Sequence, residues 1–264
     1  MMVDLNCDMG ESYGAWKMGD DEQMFAWISS ANVACGFHGG DPRVMAHTVE
    51  MAKRHGVGVG AHPAFPDLVG FGRRNLNVTP EEARTDVLYQ IGALAAFCRR
   101  FGVALQHVKP HGQLNNASMS DRPLADAIVA GVKDFDPNLL IVSWGGEFAR
   151  AAEAARMRVA CEVFADREYN ADGTLVSRRL PGAVITDHAR VVERAVAMVL
   201  EGRVRAVDGT WLEIPIHTIC LHGDTPGAAA VAAQLRGALE QAGVQIAPML
   251  QVVDARAVAR SGSR

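Results

Sequence analysis

Short apolar runs alternate with amphipathic helical patterns along the chain, and this order constrains the fold more than any other feature. Seven such runs occur: Val3–Cys7, Ser30–Cys35, Val57–Ala61, Leu105–Val108, Leu139–Ser143, Val159–Val163 and Ile214–Leu221. Strands that alternate with helices predict a parallel sheet, because each helix carries the chain back to the edge where the previous strand began. Seven strand–helix units favour a closed β/α barrel over an open sheet.

Helix start signals support this pattern. Thr79, Pro80 and Glu82 form a capping box, and Asp41-Pro42 is a second N-cap pair. Helices are predicted over 21–29, 41–55, 79–100, 121–133, 147–157, 187–201 and 225–242. The longest connection, 164–183, contains the hairpin-turn dipeptide Asp172-Gly173. We also expect an additional terminal strand over Gln245–Val253.

Length and composition limit the class of protein. A chain of 264 residues suits one barrel of about 250 residues, and no linker rich in Pro, Gly or Ser divides it, so we predict a single domain over 1–264. The net charge of −4 argues against binding to nucleic acid or to an anionic membrane. The N-terminus lacks the pattern of a signal peptide, and no apolar stretch approaches about 18 residues. Five cysteines without a CxxC pair indicate reduced thiols and a cytoplasmic protein.

Polar residues lie at the ends of six of the apolar runs or directly after them. They are Asn6, Asp8 and Glu11, then His38, His62, Lys109 with His111, Glu162 with Asp166 and Arg167, and finally His222. The carboxyl ends of the strands of a parallel barrel meet at one face, where active sites are built. The sequence therefore predicts that these side chains converge.

Asp8, His38 and His62 allow two interpretations. One carboxylate with two imidazoles is a common ligand set for a divalent metal ion. The same residues could instead act as a general base with its orienting partner, without a metal ion. Both interpretations remain open at the level of sequence.

Cationic residues point to an anionic ligand. Lys109 either meets a phosphate or carboxylate, with His111 beside it for proton transfer, or pairs with a strand-end acid such as Glu162. Arginines on the two long loops could clamp an anion or could be solvated; they are Arg73, Arg74, Arg167, Arg178 and Arg179. No P-loop motif is present, so a nucleotide would have to bind through strand-end loops.

Long motifs in a fixed order resemble the LamB/YcsF family. They are Asp4–Glu11, Ala31–His38, Gly60–Pro63, Gly70–Arg74, Val108–Gly112, Glu162–Arg167 and Cys220–Pro226. The resemblance covers nearly the whole chain. It implies a seven-stranded β/α barrel like those of polysaccharide deacetylases, in agreement with the strand count.

The resemblance also implies a function. Members are assigned as the A subunit of a prokaryotic 5-oxoprolinase, which uses ATP to open 5-oxo-L-proline to L-glutamate together with its B and C subunits. On this basis the expected catalytic residues are Asp8, Glu11, His38, His62, Lys109 and His111. The expected residues for substrate or phosphate are Asn6, Arg73, Arg74, Glu162, Asp166, Arg167 and His222.

Two other functions are compatible with these residues. One is a metal-dependent, deacetylase-like amide hydrolase that works without ATP. The other is a non-catalytic component that binds a lactam or a carbohydrate. The dense set of ionisable strand-end residues argues against the second.

Overall fold

Seven parallel strands close into a barrel in the computed structural model, which describes residues 1–221, 223 and 227–261. The barrel strands are β1 (Met2–Met9), β2 (Ser30–Ala34), β3 (Gly58–His62), β4 (Leu105–Val108), β5 (Leu140–Ser143), β6 (Val159–Phe164) and β9 (Thr218–Leu221). Each pairs with the next in this order, and β9 pairs with β1 to close the ring. The predicted seven-stranded parallel barrel is confirmed.

Helices surround the barrel. They are α1 (Asp21–Met24), α2 (Pro42–His55), α3 (Pro80–Phe101), α4 (Gly112–Ser118), α5 (Arg122–Phe135), α6 (Gly146–Ala154), α7 (His188–Glu201), α8 (Ala228–Gln241) and α9 (Met249–Ser261). The capping box at Thr79 and the cap at Asp41 both form as predicted. Within the described part of the chain, no helix combines the length and apolar character needed to cross a membrane.

Three short strands of the described chain lie outside the seven-stranded barrel. β7 (Arg203–Arg205) and β8 (Trp211–Glu213) form an antiparallel pair, and β10 (Gln245–Ile246) pairs with the first residues of β1. The predicted terminal strand over Gln245–Val253 is therefore wrong beyond Ile246. Met249, Val252 and Val253 are buried at helical spacing in α9, so packing against the barrel favours a helix there.

Other predicted boundaries shift for local reasons. The first helix ends at Met24 and does not reach residue 29, because the chain turns back to let the Ser29 amide bond Leu5 of β1. The last barrel strand begins at Thr218 and not at Ile214, and the preceding segment Trp211–Glu213 pairs with β7. The turn at Asp172-Gly173 is present, with a φ of 84° at Gly173, but only the single bridge between Tyr169 and Leu175 flanks it.

Alternate residues of each strand face the barrel interior, and on β1 these residues are polar. Val3, Leu5, Cys7 and Met9 belong to the apolar core, whereas Asp4 and Asn6 bond to polar groups of other strands. Asp8 is the next residue on the polar side. The alternating polar residues of β1 thus begin in a buried network at Asp4 and Asn6 and continue to Asp8, near the carboxyl end of the strand.

Asp4 lies at the base of this network. Its carboxylate accepts hydrogen bonds from the hydroxyls of Ser29, Ser30 and Thr218 at 2.5–2.7 Å. Burial raises the pKa of Asp4 from 3.8 to about 6, although these hydrogen bonds oppose the shift. The folded protein therefore holds a proton on Asp4 more tightly than the unfolded chain does.

The Asp4→Asn variant tests whether the raised pKa of Asp4 makes the stability of the protein depend on pH. Because the folded pKa is raised, the contribution of Asp4 to stability is fully present below pH 3.8 and is lost as the pH rises through about 6. Two pKa units correspond to about 3 kcal/mol. We expect Asp4→Asn to raise the Tm at pH 8 and to flatten the pH dependence between about pH 4 and 6, as measured by calorimetry. A lower Tm for the variant at pH 8 would contradict this.

Candidate active site

The strand ends deliver the site residues to one mouth of the barrel. Asp8 is near the end of β1, His62 is the last residue of β3, and Lys109 follows β4 directly. Backbone hydrogen bonds continue past the strands, from the Lys109 amide to Ala61 at 2.9 Å and from the His111 amide to Pro63 at 2.8 Å. This extension of the ladder fixes the direction of both side chains.

Three imidazoles converge on the carboxylate of Glu11. Its Oε1 lies 3.0 Å from His38 Nε2, 3.3 Å from His111 Nδ1 and 3.9 Å from His62 Nε2. The rings of His38 and His111 stack with centroids 3.8 Å apart. All three histidines are buried. We call this set the Glu11 cluster (Glu11, His38, His62 and His111).

Backbone carbonyls fix the orientation of two of these rings. Nδ1 of His62 lies 2.6 Å from the Lys109 carbonyl, and Nε2 of His111 lies 2.9 Å from the Phe71 carbonyl. A carbonyl only accepts, so these two nitrogens carry the hydrogens. The remaining nitrogens, His62 Nε2 and His111 Nδ1, face each other at 3.0 Å. That contact requires either a second proton on one ring or a cation beside the two nitrogens.

The pKa values of the three histidines are shifted in different directions. Burial, and then the charge of a neighbouring histidine, lower the pKa values of His38 and His111 well below the usual range, so both rings are neutral. Burial opposes protonation of His62 too, but the Asp8 carboxylate, whose Oδ2 lies 3.3 Å from Nε2, outweighs it and raises its pKa. Burial would raise the pKa of the Asp8 carboxyl group. The positive charges of His62 and Lys109 outweigh this effect and hold that pKa well below its usual range.

The Glu11 cluster has the donor set of a divalent metal site. One ligand atom from each of its four residues lies within 4.8 Å of the others, and imidazole with carboxylate is a common combination. Hydrogen bonds from the far nitrogens of His62 and His111 to carbonyls are the usual support of metal-binding histidines. This grouping places Glu11 and His111 with His38 and His62, whereas the sequence suggested Asp8 with the two histidines.

Lys109 lies in a cage of acceptors beside this cluster. Its Nζ lies 2.8 Å from Glu162 Oε1, 3.1 Å from Asp8 Oδ1, 3.3 Å from Asn6 Oδ1 and 3.2 Å from Cys220 Sγ. Burial alone would lower the pKa of Lys109, but the Asp8 charge and its other partners raise it well above the usual value. The ammonium is therefore permanently charged, and the sequence alternative of pairing with Glu162 is realised.

A cavity of about 800 Å³ opens above these residues. Asp8, His62, Lys109 and His111 form its floor. Its sides come from the loop after β6 and from the start of α6, including Arg167, Arg178 and Gly145. The long 164–183 connection therefore forms a wall of the candidate active site.

The other predicted residues lie in several places. Arg73 lines the cavity, with its guanidinium 5.0 Å from the Phe71 ring centroid. Arg74 bonds to Asp67 through Nε at 2.9 Å and is not part of the cavity wall. Asp166 borders a smaller, mostly apolar cavity of about 140 Å³. His222 lies outside the described residues.

Two buried residues, Asn32 and His107, support the site without having been predicted to do so. The Asn32 amide donates to both Asp8, at 2.8 Å, and Asn6, at 2.7 Å, and its carbonyl contacts His107 Nε2 at 2.8 Å. Asn6 is itself fully buried and donates to Glu162 at 3.0 Å, so its side-chain amide is hydrogen-bonded within the protein. Inward alternation along β2 and β4 is the signal that could have identified Asn32 and His107.

Gly72 provides a test of how tightly the cluster is packed. Its φ is +64°, and a Cβ atom there would lie 2.8 Å from His111 Cδ2 and 3.0 Å from His38 Cβ. We expect Gly72→Ala to lower kcat/KM at least tenfold, since about 1 Å of misplacement can cost about 10²-fold. We also expect it to lose about 1–2 kcal/mol of stability from the left-handed backbone.

Gly56→Ala is the matched control for Gly72→Ala. Gly56 has a φ of +67° at the end of α2, with no atom within 4 Å of the position of a Cβ. The control should lose similar stability and keep wild-type kcat/KM. Equal activities of the two variants would show that Gly72 does not maintain the cluster geometry.

The model of the LamB/YcsF family matches residues 3–254. The chain belongs to the LamB/YcsF family. A LamB/YcsF relative from Pyrococcus abyssi, named as the A subunit of 5-oxoprolinase, is 53% identical over 250 residues, which cover 94% of this chain and 98% of the relative.

Solved structures agree with this membership. The crystal structure of a lactam utilization protein from Thermus thermophilus superposes with a TM-score of 0.90 at 51% identity, covering 94% of this chain and 99% of that one. A deacetylase called T48, solved with its substrate, has a TM-score of 0.50 at 14% identity, covering 96% and 90%. The second likeness concerns the fold alone, and it is the deacetylase-like barrel expected for LamB/YcsF proteins.

Proposed function

We propose that this chain is the A subunit of an ATP-dependent 5-oxoprolinase, which acts with B and C subunits. The overall reaction would take 5-oxo-L-proline, ATP and two water molecules to L-glutamate, ADP and phosphate. The observation that supports this proposal most directly is the buried Lys109 ammonium, which lies at the floor of the cavity beside the Glu11 cluster. The high identity to proteins that bear the 5-oxoprolinase name supports the substrate. The five free thiols suit the cytoplasm.

The residues match the demands of lactam opening. A five-membered lactam is a stable amide. Transfer of the γ-phosphoryl group of ATP to its oxygen, with release of ADP, would make the carbonyl carbon electrophilic. Water would then add to that carbon, the C–N bond would break as the nitrogen takes a proton, and a second water would release phosphate from the resulting acyl phosphate. The Lys109 ammonium would stabilise negative charge on the lactam oxygen or the phosphoryl group. The ionised Asp8 carboxylate would orient water and accept its proton.

A divalent metal ion would be held by Glu11, His38, His62 and His111. When bound, it would act as a Lewis acid toward a carbonyl or phosphoryl oxygen. His62 would then bind the ion through Nε2 while its Nδ1 continues to donate to the Lys109 carbonyl. Asp8 would remain with Lys109 and Asn32.

Reconstitution tests the proposed function. Glutamate release from 5-oxo-L-proline is measured with this chain and the purified B and C subunits, and each of the three proteins, and then ATP, is omitted in turn. We expect turnover only with the complete set, and little or none from this chain alone. Robust ATP-dependent turnover by the isolated chain would refute the assignment as one part of a complex.

The Glu11 cluster also favours a second candidate, a metal-dependent amide hydrolase that needs no ATP. This candidate predicts turnover without ATP that a chelator abolishes and added metal restores. Binding of the lactam without turnover in any assembly would instead support a non-catalytic component.

A further inference from the structure

Arg167 is a buried cation that forms no ion pair in the described part of the chain, although Asp166 contributes negative charge nearby. Arg167 is 6% exposed, and its Nε has no hydrogen-bond partner among the residues that the structure describes. The one side-chain hydrogen bond of the guanidinium runs from Nη2 to the Val176 carbonyl at 2.8 Å. An unpaired charge in such a position is costly unless a ligand supplies the opposite charge.

The surroundings of Arg167 add to its positive field. Arg178 and Arg179 line the same cavity, and we call these three residues the arginine wall (Arg167, Arg178 and Arg179). Burial, followed by repulsion from Arg178, lowers the pKa of Arg167, while Asp166 opposes the shift. The guanidinium stays charged, because the usual pKa of arginine is far above neutrality.

The start of α6 faces the same cavity. Gly145 and Gly146 line it, and no described side chain caps this helix. The Gly145 amide donates to Ser143 Oγ at 3.2 Å, and the Glu147 amide donates to the Met119 carbonyl at 2.9 Å. Among the residues described, the Gly146 amide is left as the donor at the cavity wall, at the positive end of the helix dipole.

We propose that the arginine wall and the start of α6 form a phosphate-binding subsite that holds the phosphate chain of a nucleoside triphosphate. This proposal rests on the proposed function, since it assigns the ATP of that reaction to this chain. Three guanidinium groups and a helix N-terminus provide more positive charge than the single carboxylate of 5-oxo-L-proline requires. The single ring of a lactam would also leave most of an 800 Å³ cavity empty.

The subsite also accounts for the positions of Arg167 and Lys109 around one cavity. Arg167 follows β6 closely, and Lys109 follows β4, so both reach the same cavity from the barrel mouth. A phosphate chain on the arginine wall would point its last phosphate toward the floor, where Lys109 lies. The lactam would occupy the floor beside Asp8 and His62.

Binding to the isolated full-length chain tests the subsite without requiring turnover. Inorganic tripolyphosphate is the probe, measured by titration calorimetry and by thermal shift. At about a hundredfold excess over Kd, we expect the Tm of the wild-type chain to rise by about 5–10 °C. Arg167→Met should weaken binding at least tenfold and remove this shift.

The ligand-free variant separates a binding role from a structural one. Methionine keeps much of the aliphatic stem of Arg167 and removes an unpaired buried charge, so the Tm without ligand should stay equal or rise. A marked fall in that Tm together with unchanged tripolyphosphate affinity would overturn the proposal. Arg178→Met, at an exposed position, is the second variant, and it should weaken binding several-fold.

Arg54→Met is the matched control. Arg54 is an exposed residue of α2 paired with Glu50, outside the cavity, so its variant should bind tripolyphosphate like the wild type. Equal losses in Arg54→Met and Arg167→Met would indicate a non-specific charge effect and overturn the subsite.

A parallel titration with 5-oxo-L-proline distinguishes the two anionic groups. If Arg167→Met loses affinity for 5-oxo-L-proline and retains it for tripolyphosphate, the arginine wall binds the substrate carboxylate and our proposal is wrong. If tripolyphosphate binding depends on Arg167 but the reconstituted complex does not open 5-oxo-L-proline, the subsite stands and the proposed function fails.

Discussion

Replacing Lys109 with methionine is expected to lower the kcat of the reconstituted complex by about 10²–10³-fold. That range is the usual cost of removing one group that stabilises developing negative charge. The ammonium at the cavity floor lies 3.1 Å from the Asp8 carboxylate. Methionine keeps the length and packing of the side chain but cannot provide that charge.

The same variant should also be less stable. The Glu162 side chain is only 1% exposed and lies 2.8 Å from Nζ, so the variant leaves a buried carboxylate without its counter-ion. Breaking a buried pair costs about 3–5 kcal/mol, which corresponds to a fall in Tm on the order of 10 °C. Activity must therefore be measured well below the Tm of the variant and expressed per folded protein.

A double variant separates the two roles of Lys109. Lys109→Met with Glu162→Gln removes both members of the buried pair, so most of the lost stability should return. The activity should stay as low as in Lys109→Met. If activity returned together with the Tm, Lys109 would be a structural residue and its catalytic assignment would be wrong.

Asp8→Asn is expected to reduce kcat by about 10²–10⁴-fold, the range found for a general acid or base. Asp8 links the two halves of the site, because Oδ1 accepts from Lys109 and Oδ2 lies 3.3 Å from His62 Nε2. Asparagine retains the shape of the side chain but loses the negative charge that orients water and raises the pKa of His62.

The stability of Asp8→Asn should differ from that of Lys109→Met. Lys109 keeps Glu162 as its counter-ion, and the Asp8 side chain is 25% exposed, so the Tm should change by only a few degrees. Asp134→Asn is the matched control, because Asp134 forms an exposed ion pair with Arg84. Near-wild-type kcat in Asp8→Asn would exclude Asp8 from the chemistry, and a large fall in Tm would assign it to the structural network.

The architecture could be predicted from sequence because its signals are local. The period of each strand and the capping residues at Asp41 and Thr79 are read from adjacent positions. Parallel strands then bring their carboxyl ends together, so Asp8, His62 and Lys109 could be assigned to one mouth of the barrel. Errors occurred where pairing is non-local, as at Gln245–Val253, where packing of α9 replaces a strand.

What each side chain does within that mouth was decided only by tertiary structure. Lys109 takes its counter-ions from Asp8 and Glu162, which are 101 and 53 positions away, and no local pattern specifies such a pair. Arg74 bonds to Asp67, whereas Arg167 is buried against the cavity, although both were loop arginines in the sequence. Sequence determined which residues reach the site, because strand periodicity is local. The closed barrel determined which charges meet, because charge pairing depends on distances between strands that are remote in the chain.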